Sequence, residues 1–240
     1  MNALGCDVSY WNGPNQQYPR GVDWQVARNQ GGIVFGFARA CAGRYYTDST
    51  FSVNWEGMKA AGVLRAAYLY FYAEQDAEAQ AEKLFSLSKG EGELPDVIDV
   101  EEDRGLSPAQ LRERVKRCLD RYEQLSGRKA IIYTRASFWN PAVGNAGWES
   151  NYPLWVAHYY AQNPLLPQGW QGVGWKFWQD SPQEKFPGFQ DPTVDRNYYN
   201  GTEAELRQWL GLEPPPPTLE ERVADLERRV AALEKIAHSH

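Results

Sequence analysis

Asp99 and Glu101 stand two residues apart in the run Leu94-Pro95-Asp96-Val97-Ile98-Asp99-Val100-Glu101-Glu102. The apolar residues of this run are mostly β-branched and alternate with acids, and Gly90, Gly92 and Pro95 break the chain just before it, which predicts a short buried strand. Side chains alternate along a strand, so the two carboxyls share one face and aim into one space. Adjacent carboxyls repel and split their pKa values, leaving one protonated near neutral pH and one ionised. Hydrolysis of a glycosidic bond needs such a pair: an acid for the leaving oxygen, and a negative charge or nucleophile-positioning group beside an oxocarbenium-like centre. Asp96, Glu102 and Asp103 extend the acidic run, so by itself it reads as well as a solvated strand end.

Little else offers a rival chemistry. Of three histidines only His158 lies in the body of the chain, too few for a two-histidine zinc site and a single hope for a Ser-His-Asp hydrolase. There is no G-x-S-x-G and no glycine-rich phosphate loop. Cys6, Cys41 and Cys118 are far apart and form no C-x-x-C pair, so buried thiols are expected rather than disulfides. A net charge of −6 without a long basic run argues against nucleic acid as partner. No stretch reaches the length of a membrane span, and the start MNALGCDVSYW has neither a basic nor an apolar leader region, so neither membrane insertion nor a secretion signal is expected. An enzyme made from this chain works with carboxylates and needs no metal or cofactor.

The elements that must position these acids follow from periodicity. Leu4-Gly5-Cys6-Asp7-Val8-Ser9 reads as a strand with Asp7 and Ser9 on one face and Cys6 and Val8 on the other. Further strands are predicted over 32–39, 63–72, 129–134, 154–159, 175–179 and 192–198. Helices are predicted over 23–30, from an Asp48 or Ser49 cap to Ala61, over 76–88, and from Ser107-Pro108 to Gly127. The stretch 139–192, dense in Gly, Pro, Asn and Trp, offers no good helix between its strands. Five β-α units followed by three loop-joined strands predict an α/β fold, a parallel barrel closed by eight strands. The 240 residues, 42% apolar with 10 Trp and 14 Tyr, suffice for one such core plus a small appendage.

Functional groups of such barrels gather at the C-terminal ends of the strands. Asp7, Asp99, Glu101 and Asp195 all fall there, and the last strand neighbours the first on closure, so four acids are expected at one mouth. Tyr68, Tyr70, Tyr133 and Trp155 fall at similar heights, where aromatic faces would carry sugar rings.

These residues resemble a known pattern. Gly5-Cys6-Asp7-Val8-Ser9-Tyr10-Trp11, Val22-Asp23-Trp24, Tyr46-Thr47-Asp48, Ala61-Gly62-Val63, Asp99-Val100-Glu101, Ile132-Tyr133-Thr134, Pro153-Leu154-Trp155-Val156-Ala157, Trp178-Gln179 and Val194-Asp195-Arg196-Asn197 occur in the order found in the family 25 lysozymes, the Chalaropsis type. The resemblance spans roughly Leu4 to Leu210. It implies a modified TIM-like barrel with eight strands and five helices, and cleavage of the β-1,4 bond between N-acetylmuramic acid and N-acetylglucosamine in bacterial peptidoglycan. Carried over by position, Glu101 matches the proton donor, and Asp99 the acid that assists the substrate's own 2-acetamido group. Asp7 and Asp195 match the remaining acids, and Gln179 and Asn197 join the four aromatic residues as substrate-binding candidates. Two departures stand out: Cys41-Ala42-Gly43 where a Thr- or Ser-Glu-Gly is frequent, and Ala66-Ala67-Tyr68-Leu69-Tyr70 where Gly-x-Tyr-His-Phe is frequent.

Beyond a barrel over 1–212, Pro214 to Pro217 predict a stiff spacer over 213–217. Over 218–240, Leu219, Val223, Leu226, Val230 and Leu233 recur at steps of four and three, the seam of a short coiled coil that implies a homo-oligomer or a docking helix. Without a leader, the expected setting is a phage-type lysin, made in the host cytoplasm and acting on the wall after release. Two other readings begin from the same residues: a non-catalytic wall-binding or virion structural protein on this barrel, and a hydrolase of chitin oligomers.

Overall fold

The computed structural model describes residues 1–213 together with 222–224 and 226–230. Its contacts divide the chain into Met1–Thr202 and Glu203–His240. The first unit holds nine strands: β1 (Leu4–Val8), β2 (Phe35–Ala42), β3 (Tyr46–Thr47), β4 (Leu64–Tyr70), β5 (Val97–Asp99), β6 (Ile131–Thr134), β7 (Leu154–Ala157), β8 (Phe177–Glu184) and β9 (Val194–Tyr199). Eight of them close in the order β1-β9-β8-β7-β6-β5-β4-β2, with β2 pairing back onto β1, while β3 only folds against the end of β2.

Strand direction departs from the sequence expectation at one place. Pairing is parallel from β1 through β2, β4, β5, β6 and β7 to β8, but β9 runs antiparallel to both β8 and β1. No helix lies between β8 and β9, and a loop of nine residues returns the chain by a hairpin, which parallel pairing does not allow. Asp195 therefore sits near the start of its strand, and reaches the mouth because that strand runs backwards.

Five α-helices belong to this unit: α1 (Trp24–Asn29), α2 (Phe51–Ala61), α3 (Ala77–Ser88), α4 (Pro108–Ser126) and α5 (Ala136–Ala142). Local chemistry explains most of their ends. In α4, Ser107 and Gln110 form a reciprocal capping box, Pro108 occupies the first turn, and Gly127 closes the helix at φ 68°. Its stripe of Leu111, Val115, Cys118, Leu119 and Tyr122 is buried, as the spacing predicts. The cap of α2 differs: Thr50 holds that position without a side-chain bond to the helix amides, its hydroxyl donating instead to Asp48, which also accepts from the Tyr10 amide and from Arg39. Helix α5 was not expected, because it is only seven residues long and contains Pro141.

Alternation along the strands makes two cores. Cys6, Val8, Leu69, Ile98, Ile132, Val156 and Trp178 face the helices in one apolar layer. The barrel interior is aromatic: Phe37 lies 5.2 Å from Phe177 and stacks on Trp155 at 4.1 Å, and Phe35 packs 5.1 Å from Phe177. Gly5 lets this filling in, since a Cβ there would lie 2.4 Å from the Phe35 ring. The three cysteines are buried free thiols, and burial pushes the Cys41 thiol up to about 12.

The second unit opens with α6 (Glu203–Trp209). Residues 222–224 and 226–230 are helical, with Val223, Leu226 and Val230 exposed. The proline run, Leu219 and Leu233 lie outside the described residues.

Candidate active site

Asp7 is held by a converging set of donors. β1 and β9 pair Asp7 with Asp195 across the sheet, and Gly5 with Asn197. Asp7 Oδ2 accepts from Asn197 Nδ2 at 2.7 Å and from Gln179 Nε2 at 2.9 Å. Each amide is oriented in turn: Gln179 Oε1 accepts from the hydroxyls of Tyr133 (2.7 Å) and Tyr159 (2.9 Å), and Asn197 Oδ1 from the Trp155 indole (2.8 Å). Because every member is satisfied, the network is rigid and aims donors only at Asp7.

Burial in this crowded space sets the protonation order. Asp7 is pushed up to about 6 by burial, against the pull of its two amide donors. Asp195 is pushed up to about 9, first by burial and then by the charge of Asp7, to which it is hydrogen-bonded. The two share a proton, carried mainly on Asp195, like a carboxyl dyad.

On the opposite side of the mouth, β5 ends at Asp99 instead of running on through Glu101. Val100 still follows β6, its N–H donating to Tyr133 O at 2.9 Å and its carbonyl accepting from Thr134 Oγ1 at 2.8 Å. Asp99 is 5% exposed, and its Oδ1 is one of two buried side-chain polar atoms, among the described residues, without a hydrogen-bond partner. Burial and then the charges of Glu101 and Asp7 raise its pKa. Glu101 stands beyond the strand end, with its side chain 23% exposed, and Arg135 Nη1 donates to its Oε2 at 3.2 Å. Burial raises Glu101 as well, opposed by the Arg135 guanidinium and the Tyr70 hydroxyl.

Four acids thus meet at one mouth, one of them a carboxyl held protonated near neutrality and one a buried carboxyl whose Oδ1 has no hydrogen-bond partner among the described residues. A family model for glycosyl hydrolases family 25 matches residues 6–189. The chain belongs to glycosyl hydrolase family 25. It is 37% identical over 219 residues to YegX, an uncharacterized protein of Escherichia coli K12, covering 88% of this chain and 75% of that protein. Lysozyme M1 of Streptomyces globisporus is 33% identical over 215 residues, covering 84% of this chain and 69% of the relative. The crystal structure of the bacterial lysozyme from Streptomyces coelicolor superimposes with a TM-score of 0.77 at 32% identity, covering 88% of this chain and 97% of that one. Family 25 membership makes the chain a glycoside hydrolase of the lysozyme type.

Within this family 25 site the residues expected to bind substrate divide into two groups. Trp155, Gln179 and Asn197 are buried, and the polar atoms they use in this network serve to orient Asp7. Tyr133 belongs to the same network through its hydroxyl. Tyr68 lies next to the acids, its pKa raised by burial and by the charges of Asp7, Asp99 and Asp195 with Arg39 opposing. Tyr70, partly exposed, donates to Glu102 Oε1 at 2.8 Å.

Arg135, Glu102 and Tyr159 were not anticipated. Arg135 and Tyr159 follow the ends of β6 and β7, so strand-end position alone could have flagged them. Of the departures from the family pattern, Leu69 points into the helix-facing layer, away from the acids. A cavity of about 550 Å3 between Arg20–Asp23 and Gly188–Gln190 is lined by none of the four acids.

The raised carboxyls fix a pH dependence of stability. A folded-state pKa above the unfolded value near 3.8 means that the folded chain binds more protons, so stability falls as pH rises through that window. The window closes at about 6 for Asp7 and about 9 for Asp195. The thermal midpoint is expected to drop by about 5 °C or more between pH 5 and 9 in scanning calorimetry, and Asp195→Asn to flatten the upper half of the fall. A level profile in the wild type would contradict the burial-driven shifts.

Proposed function

We propose that the chain cleaves the β-1,4 bond between N-acetylmuramic acid and N-acetylglucosamine in peptidoglycan, with retention, through the substrate's 2-acetamido group. In this reading Glu101 protonates the leaving glycosidic oxygen and then, as a carboxylate, takes a proton from the incoming water. Asp99 accepts the acetamido N–H, so that the acetamido oxygen is turned toward the anomeric carbon and the positive charge that builds on the ring is countered nearby. Asp7 and Asp195, with one proton between them, keep the cleft negative without a second full charge.

The observation that carries this is the unpartnered, buried Oδ1 of Asp99 close enough to Glu101 for their charges to interact. A carboxylate left without a donor in a desolvated site is costly unless a ligand supplies one. The Streptomyces globisporus relative is named a lysozyme, which agrees with a wall substrate.

The stereochemical test is proton NMR of a wall-derived oligosaccharide during the first minutes of digestion. Retention predicts that the β anomer of the new reducing end appears first and the α anomer only by mutarotation. Initial α anomer would mean a directly attacking water and would remove the acetamido step.

A further inference from the structure

Beside Glu101 lies a second cavity that the mechanism above leaves unused. It holds about 340 Å3, and its walls include Arg135, Ala136, Ser137, His158, Tyr159 and Leu165. Two of these walls touch the acid network, Arg135 through Glu101 and Tyr159 through Gln179, so the cavity borders the acids across those side chains.

Its outer loop is built in place by a chain of bonds. His158 Nδ1 accepts from the Leu165 N–H at 2.9 Å, and the His158 carbonyl accepts from the Trp178 indole at 2.8 Å. With Nδ1 occupied as an acceptor, the neutral imidazole carries its proton on Nε2 and is a donor there. The lining therefore combines one permanent cation, a hydroxyl, a phenol and an imidazole N–H with the apolar surfaces of Ala136 and Leu165, and no carboxyl. Arg135 is half exposed at 49%, and among the described residues only its Nη1 has an acceptor. Its Nε and Nη2 remain for a second one, in the fork geometry that suits a carboxylate.

We propose that this cavity is a subsite for the small anionic substituent of the sugar ring, the ether-linked lactyl carboxylate, and that Arg135 is its specificity determinant. The inference rests on the muramidase reading above and adds to it. One cation fits one carboxylate, and the apolar wall fits the methyl group beside it. In the wall that carboxyl is free only where the stem peptide has been removed, so glycan already stripped by hydrolysis of the peptide's amide bond is the preferred substrate. Arg135 acts by binding and not on the reacting atoms.

The test compares two tetrasaccharides of alternating N-acetylglucosamine and N-acetylmuramic acid, one with free lactyl carboxylates and one with both converted to neutral methylamides. The wild type is expected to favour the carboxylate form by roughly tenfold in kcat/KM, mainly through KM, as one charge-assisted pair at a half-exposed site gives. Arg135→Gln brings the ratio close to one, and Arg135→Lys keeps part of it, since the charge remains and the fork is lost. Loss of Arg135 also strengthens the proton affinity of Glu101, but that acts on both substrates alike and cancels in the ratio. A wild-type ratio of one, or a ratio that survives in Arg135→Gln, overturns the inference. Turnover of the neutral form keeps the muramidase reading standing in either case, whereas no turnover of either form by the wild type overturns both. The wild-type comparison requires no variant to fold.

Discussion

Glu101→Gln is expected to lower kcat/KM on peptidoglycan by at least ~10³, within the range that a general acid contributes. The amide has the shape of the acid and still offers an oxygen to Arg135, but it has no proton to give to the leaving oxygen. Folding should be nearly untouched, because the pair with Arg135 is half exposed, and such pairs contribute about 0–1 kcal/mol. Turbidity assays on purified walls, with wall binding and thermal midpoint measured alongside, separate lost chemistry from lost fold. The pH profile carries the same signature. Burial raises the pKa of Glu101, so its acid form persists above the usual carboxylate range, and activity falls on the alkaline side as that proton is lost. A variant that keeps a tenth of wild-type activity would remove Glu101 from the centre of the mechanism.

Asp99→Asn is the second large effect. It is expected to reduce kcat by about 10²–10³ with KM little changed, because the charge it removes matters most when the ring becomes cationic. The stability outcome distinguishes this from a structural role. Asp99 has a raised pKa in the folded chain, so its ionised form destabilises the barrel, and the neutral amide should hold or raise the thermal midpoint above neutral pH. Loss of activity with an unchanged or higher midpoint is the expected pair of results. Unimpaired turnover, or a midpoint several degrees lower, would mean that the unpartnered oxygen of Asp99 is not there for a substrate.

Much of this was legible in the chain because its signals are local. Alternation over Leu4–Val8 placed Asp7 on the face opposite Cys6 and Val8, and the Ser107-Pro108 cap with its apolar stripe placed α4. What the sequence hid is long-range. Strand direction is not written in six residues of β9, so Asp195 was expected at a C-terminal strand end, yet it arrives from the other direction. Pro141 obscured α5, and with it the Arg135 that precedes this helix and contacts Glu101. Gln179 and Asn197 read as substrate contacts by resemblance, and their burial and pairing with Asp7 appear only once β8, β9 and β1 are side by side.

The role of Glu101 in cutting peptidoglycan is tested most directly by mass spectrometry of fragments released from purified wall, after borohydride reduction, by the wild type and by Glu101→Gln. Reduced N-acetylmuramic acid at the new ends, from the wild type alone, is the predicted result. Reduced N-acetylglucosamine at those ends, or equal release by the variant, would contradict it.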